Sequence, residues 1–327
     1  MKRRFWITGA VLVASLFVFG WPADAKDRFY LVFDEGKSWN RVGASTFAFL
    51  KVGEGARAAA MGDAYTAVGD DVGSIFWNPA GIGHLKGVHY ALSYNRWLVD
   101  TKFYSGAVTF HTPKGVVGVS VRSFRTGAVE ERTILQPQGT GRMVEGNAAV
   151  AGLTYAARPT DKLSVGIQFL IAQQTIFTQS TMTPLVDIGT HFFTGFKSVR
   201  LAMALRNLGK DVRYATRSAY MPLYFTVGGA VEVYGNRSGP TYLTVAFESA
   251  YAVDYAARWH LGSELVLARY LALRGGYKFN YSQETYSLGA GLKAPLPGGR
   301  SVGFDVSYTQ MGSLLNDPIR LSLSGNF

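Results

Sequence analysis

The chain has 327 residues, a net charge of +11, no cysteine, 38 Gly, 18 Tyr and 21 Phe. With no cysteine there are no disulfides, and without a dense Lys/Arg run the positive charge does not read as a nucleic-acid surface. Glycine, aromatic and β-branched residues favour strands and tight turns over helices, and a chain of this size can form one large all-β domain.

The first 25 residues read as a secretory signal peptide. Lys2, Arg3 and Arg4 form a basic start, Ile7 to Phe19 is an apolar stretch, and Ala23-Asp24-Ala25 is a small-x-small cleavage site. Cleavage removes those three cations and Asp24, which lowers the net charge from +11 to +9. Residues 26–43 are mixed. Residues 44–87 are rich in Gly and Ala, with Phe47, Phe49, Leu50, Met61, Tyr65, Ile75, Phe76 and Trp77 at no strict period of two. Short helices and turns fit this segment better than spanning strands, and it is expected to plug a barrel from the periplasmic side.

From Val88 the pattern changes to amphipathic strands. About fourteen are expected, over 88–97, 102–111, 115–124, 146–158, 162–174, 183–193, 197–207, 221–233, 240–251, 257–268, 270–279, 284–294, 301–310 and 318–327. Alternation is clean where Val302, Phe304, Val306 and Tyr308 oppose Ser301, Gly303, Asp305 and Ser307. Every second connection is short, as at Thr112-Pro113-Lys114 and Thr194-Gly195-Phe196, whereas 125–145 and 208–220 are long. Closure into a barrel removes the edges that so many strands would otherwise expose. The expected fold class is therefore an all-β, 14-stranded antiparallel transmembrane β-barrel with a small plug. The expected division is 1–25 signal, 26–87 tail and plug, and 88–327 barrel.

The last strand alternates Ile319, Leu321, Leu323 and Phe327 with Arg320, Ser322, Ser324 and Asn326. It looks like the terminal strand that the barrel assembly machinery of a Gram-negative outer membrane reads, with Phe327 as the assembly signal. The expected location is the cell outer membrane, as a monomer. Outer-membrane lipid and lipopolysaccharide are expected around the barrel, and Lys210, Arg213 and Arg217, set against Asp211, are candidates to touch lipopolysaccharide phosphates.

One motif precedes the barrel. Phe49-Leu50-Lys51-Val52 leads to Gly55-Ala56-Arg57-Ala58, then Met61-Gly62-Asp63-Ala64, Asp70-Asp71 and Trp77-Asn78-Pro79-Ala80-Gly81. Asn-Pro-Ala-Gly is a turn, because Asn bonds its own backbone and Pro fixes φ. Arg57 buried in a barrel mouth needs an acidic partner, and Asp63, Asp70 and Asp71 are at hand. In order and spacing, residues 49–82 resemble the amino-terminal signature of the PorV/PorQ family, which in turn is similar to the FadL group of fourteen-stranded barrels. The PorV/PorQ resemblance implies a docking or shuttle component of type IX secretion, with secreted cargo or secretion-system components as partners. The FadL resemblance implies a passive channel for hydrophobic or small amphipathic solutes, with Phe47, Phe49, Phe76 and Trp77 as candidate ligand contacts.

Alternation also sends Glu248, His260, Glu264, Arg274, Lys278, Lys293, Asp305 and Arg320 into the lumen, where mixed signs on adjacent strands can form an ion-pair network. Catalysis finds little support. His84, His89, His111, His191 and His260 lack metal-ligand spacing, and no Gly-x-Ser-x-Gly elbow is present. No catalytic residue, metal or cofactor is expected.

Overall fold

The computed structural model describes residues 43–177, 179–214, 217–312 and 315–327. The expected signal peptide and the tail over 26–42 lie outside the described residues. The barrel strands are β1 (Val88–Arg96), β2 (Lys102–Thr112), β3 (Gly115–Arg125), β4 (Gly146–Thr160), β5 (Leu163–Ile176), β6 (Gln179–Phe193) and β7 (Arg200–Gly209). They continue as β8 (Tyr224–Gly235), β9 (Tyr242–Ala252), β10 (Tyr255–Leu267), β11 (Leu271–Phe279), β12 (Tyr286–Leu296), β13 (Arg300–Thr309) and β14 (Ile319–Asn326). Each strand pairs with its neighbours in this order, and β14 pairs with β1 to close the sheet, with Leu92 opposite Leu323. The fourteen expected strands are all present, with ends shifted by a few residues.

Two of those shifts have physical causes. β6 begins at Gln179 instead of 183, because the polar pairs Gln174–Thr181 and Thr175–Ser180 extend the β5–β6 hairpin beyond its amphipathic part. Pro184 lies just past that extension, opposite Ile171. Its missing N–H costs no ladder bond there, since pairing with β7 ends at Leu185. β7 begins at Arg200 instead of 197, because Thr194 to Val199 close a turn in which the Thr194 N–H bonds the Val199 carbonyl at 3.1 Å.

The long connections carry small hairpins of their own, Val129–Glu130 with Met143–Val144 and Val212–Tyr214 with Arg217–Ala219. The outer face of the barrel is apolar. Leu153, Phe169, Leu201, Met203, Phe247, Leu261 and Phe304 are exposed along its middle. Aromatic rings border this band on both sides: Phe110, Tyr155, Phe192, Tyr234 and Tyr270 near the short turns, and Tyr104, Trp259, Phe279 and Tyr286 near the long loops. An apolar belt between aromatic girdles is the surface a bilayer selects.

The segment before β1 differs from the expectation in one respect. It does not cap one end but threads the length of the lumen. At the long-loop end Ser45 bridges Tyr220, and the Phe47 N–H donates to Gln174 Oε1 at 3.2 Å on upper β5. At the short-turn end it finishes in a 3-10 turn, Pro79–His84, before entering β1. The reason lies in the lining. Phe47, Phe49 and Leu50 find apolar partners only near the long loops, whereas the charged residues that follow find theirs lower down.

Closure is completed at the terminus. The Phe327 N–H donates to the Val88 carbonyl at 2.9 Å, and its ring stacks on Tyr90 at 5.3 Å. Replacing Phe327 by Asp should cost the folded barrel about 1 kcal/mol or less, since a charge near the interface is weakly penalised. Refolding of the variant from urea into lipid vesicles is therefore expected to succeed, while its heat-modifiable, membrane-assembled form in cells should fall. Unchanged assembly in cells would show that the last residue is not read.

Candidate functional site

The plug is built around one long cation on a helix of small residues. Helix α1 (Ala56–Ala60) has alanine at every position but Arg57, so it lies close against β11, β12 and β13. Arg57 donates through Nη1 to Asp70 at 2.8 Å and Asp71 at 2.9 Å, and through Nε and Nη2 to both oxygens of Glu264 on β10 at 2.8 and 2.7 Å. Glu264 also accepts from Arg274 Nε at 2.6 Å, and Arg274 Nη1 reaches Asp305 at 2.6 Å. On the other side Asp70 pairs with Arg237, Arg237 Nε reaches Glu232 at 2.7 Å, and Glu232 holds Arg200 at 2.9 Å. Eight charges of alternating sign thus form a ribbon from β13, through the plug, to β7. Burial pushes the Asp70 carboxyl up, but Arg237 and Arg57 outweigh it and hold the group well below the usual carboxylate range.

Asp63 does not join Arg57, as the sequence allowed. It pairs with Lys278 on β11, which also holds Glu284. The Tyr65 and Thr66 N–H groups both donate to Glu248 on β9, at 3.1 and 2.8 Å. Asp71 has a second task, capping the 3-10 turn Val72–Phe76 by accepting from the Ser74 N–H at 3.2 Å. Asn78 acts similarly for the last turn. Its Oδ1 accepts from the Ala80 N–H at 3.0 Å, and its Nδ2 donates to the Thr66 and Thr190 carbonyls at 3.1 and 3.0 Å. Asn78-Pro79-Ala80 can come this near the wall because β5 and β6 present Gly166 and Gly189, where any Cβ would collide with Pro79 or Asn78. Gly81 meets the Gly69 carbonyl and Ser74 with the same closeness. The motif is thus a tether between plug and wall.

The four aromatic residues expected to contact a ligand are not together. Phe76 and Trp77 belong to the plug core, beneath Arg122 and Arg206, whose guanidinium carbons lie 5.9 and 5.3 Å from the respective rings. Phe47 and Phe49 lie nearer the long loops, buried among Phe103, Leu170, Leu185, Val212 and Met221, with Trp97 and Phe124 at the edge. Phe47 has a left-handed backbone, φ 50°, which costs an L-residue about 1–2 kcal/mol. This apolar chamber is filled by the chain's own side chains. Toward the short turns the lumen opens into a vestibule of about 610 Å³, floored by Arg57, Asp70, Asp71 and Glu264. A small cavity of about 40 Å³ lies between plug and wall beside Ser93, Ser105 and Ser322.

The lumen residues expected from alternation all face inward. Glu248, His260, Glu264, Arg274, Lys278 and Arg320 are buried, Asp305 is largely so, and Lys293 stands exposed at the vestibule mouth. Sequence reading missed Arg200, Glu232 and Arg237. Arg200 sits in the polar register of β7, which was a usable signal. Glu232 shares the inward register of β8 with Thr226 and Ala230, ahead of the bulge, and was equally legible, whereas Arg237 lies in a turn, where no period applies. Two dispersed histidines do meet: His84 and His191 have ring centroids 5.4 Å apart, though among the described residues no cluster suited to a metal is present. On the long loops, Asp211 accepts from the Met221 N–H at 3.1 Å, and the Arg213 and Arg217 side chains lie outside the described residues.

Solved structures share this fold. The toluene transporter TbuX of Ralstonia pickettii superposes with a TM-score of 0.61 at 14% identity, over 84% of this chain and 98% of that one. The toluene transporter TodX of Pseudomonas putida gives 0.62 at 11% identity, over 84% and 97%. A FadL homologue of Pseudomonas aeruginosa gives 0.52 at 10%, over 83% and 97%. The fold is that of a FadL-like outer-membrane β-barrel. No protein-family model matches the sequence, and no curated protein matches it. At these identities the FadL-like likeness is one of fold, and the neighbours are transporters rather than enzymes.

Two predictions follow from the plug geometry. Glu264→Gln leaves Arg57 and Arg274 sharing a neutral amide, and loss of one partner in a buried pair costs about 3–5 kcal/mol. Urea unfolding in lipid vesicles should show that loss, whereas Asp71→Asn, at a more exposed acid, should cost about 1 kcal/mol or less. The second concerns pH. Burial, then the neighbouring His191, lowers the His84 pKa from 6.5 to about 4. The unfolded chain therefore binds this proton first, so the contribution of His84 to stability is complete above pH 6.5 and is lost as pH falls toward 4. His84→Phe, which keeps the edge contact with Phe193, should flatten the fall of the thermal midpoint across that range.

Proposed function

We propose that this chain is an outer-membrane channel for hydrophobic or small amphipathic molecules, with residues 43–87 as its plug and the short turns facing the periplasm. The observation that carries this reading is the apolar chamber near the long loops. At its long-loop end the lumen holds an apolar box, and the chain fills it with Phe47 and Phe49. An apolar solute arriving from the long-loop side could take their place once the polar bonds of that segment are released, namely Ser45 and Lys51 to Asp254, the Thr46 N–H to the Tyr220 carbonyl and the Phe47 N–H to Gln174. The strained backbone at Phe47 lowers the cost of that exchange. That TbuX and TodX are toluene transporters supports the same reading. Lipopolysaccharide around the long loops, assembly through the terminal strand by the barrel assembly machinery, and a monomeric state accompany it.

A second reading rests on the motif over 49–82. If the PorV/PorQ resemblance governs function, the barrel is a docking or shuttle component for secreted cargo in type IX secretion. The tight seal between plug and wall favours it, because docking needs no open path.

One experiment separates the two. Trp97 borders the chamber, so toluene or a longer apolar solute entering it should change tryptophan fluorescence in proteoliposomes, with uptake following the same titration. Phe49→Asp should weaken both by about tenfold or more, since an apolar solute facing a buried carboxylate loses at least about 1.4 kcal/mol. An absence of fluorescence change and of uptake, together with recovery of a secreted partner by the purified protein, would sink the channel reading and favour docking.

A further inference from the structure

The excess positive charge of this chain is not spread evenly. On the short-turn end, Lys86 precedes β1, Lys114 occupies the β2–β3 turn, Arg158 and Lys162 flank the β4–β5 turn, and Lys197 lies in the β6–β7 turn. All five are exposed, and among the described residues none makes an ion pair. Asp161 is the one exposed acidic side chain in this arc. The nearest approach to neutralisation is Arg158, which donates to the Asp161 backbone carbonyl at 3.0 Å. At the opposite end the longest loop is balanced, setting Arg125, Arg132 and Arg142 against Glu130, Glu131 and Glu145, and Arg96 is 3.9 Å from Asp100, although Lys102 and Lys210 are exposed there.

We propose that the arc of short turns from β1 to β7 is a docking surface for anionic phospholipid headgroups of the leaflet at that end of the barrel. The cations stand where headgroups lie. Tyr155, a lipid-facing girdle residue, donates its hydroxyl to the Lys114 carbonyl at 2.8 Å. Lys197 Nζ is 5.8 Å from the ring of the exposed Phe196. Lys114 and Lys197 therefore stand beside rings at the edge of the apolar belt. A soluble acidic partner would need cations gathered into one patch. Here they follow the circumference from turn to turn, as a ring of headgroups does. Phosphodiester charge attracts such residues by about 1 kcal/mol each near a membrane surface, which corresponds to about fivefold in local lipid occupancy. The proposal requires only that the barrel spans a bilayer, so it stands or falls apart from what the lumen carries.

The test uses the full chain in nanodiscs made from equal amounts of phosphatidylcholine and phosphatidylglycerol with matched acyl chains. Lipids retained on the released protein are counted by native mass spectrometry. Phosphatidylglycerol should be enriched about fivefold over the bilayer, less so at high salt. The combined variant Lys114→Gln, Arg158→Gln, Lys162→Gln and Lys197→Gln should retain lipids in bilayer proportion, with heat-modifiable mobility showing that it is folded. The combined variant Arg132→Gln, Arg142→Gln and Lys210→Gln, on the long loops, should keep the enrichment. Equal retention of both lipids by the unaltered chain would overturn the proposal, as would enrichment that survives the first variant. Displacement of phosphatidylglycerol by free polyglutamate would also overturn it, making the arc a protein surface.

Discussion

Everything else in this molecule depends on the pairing of β14 with β1. In hydrocarbon no water can satisfy a free backbone N–H or carbonyl, so a sheet that spans a bilayer must have no edge. The eight register pairs from His89–Asn326 to Arg96–Ile319 remove the last one. Once closed, the sheet has two faces that cannot be exchanged. The outer face must be apolar, and the inner face receives whatever the alternation leaves.

That inner face creates the second requirement. Glu248, Glu264, Arg274, Lys278 and Arg320 are buried between wall and plug, and an isolated buried charge is too costly to persist. The segment before β1 supplies what the wall lacks. Arg57 answers Glu264, Asp63 answers Lys278, Asp70 answers Arg237, and two backbone N–H groups answer Glu248. The plug is held by charge complementarity and by close backbone contact at wall glycines such as Gly166 and Gly189. Toward the long loops the logic reverses. There Phe47 and Phe49 fill an apolar chamber. One segment thus has a half held by charge and a half packed on apolar side chains, and the proposed channel function uses that difference.

Charge placement adds a third level. The short turns from β1 to β7 carry Lys86, Lys114, Arg158, Lys162 and Lys197 against Asp161, whereas the longest loop at the other end sets three Arg against three Glu. Two ends of one barrel therefore meet their surroundings with different electrostatics, although both carry aromatic girdles of similar make.

Much of this was legible from residues alone, because a period of two is a local property. Val302, Phe304, Val306 and Tyr308 announce both a strand and its lipid-facing side, and the alternation of short and long connections orders the strands around the barrel. The lumen residues from Glu248 to Arg320 followed from the same count. What escaped were features without a period: the polar extension of β5 and β6, Arg237 in its turn, and the threading of 43–52 to the far end. The sequence by itself determined the strand number, the two faces and the capped turns at Asp71 and Asn78, since each depends on neighbours a few positions away. Only the tertiary structure decided that Arg57 takes Glu264 and not Asp63, and that Phe47 and Phe49 part from Phe76 and Trp77. Those choices depend on which residues a closed wall places opposite one another across the lumen, more than 200 positions apart for Arg57 and Glu264.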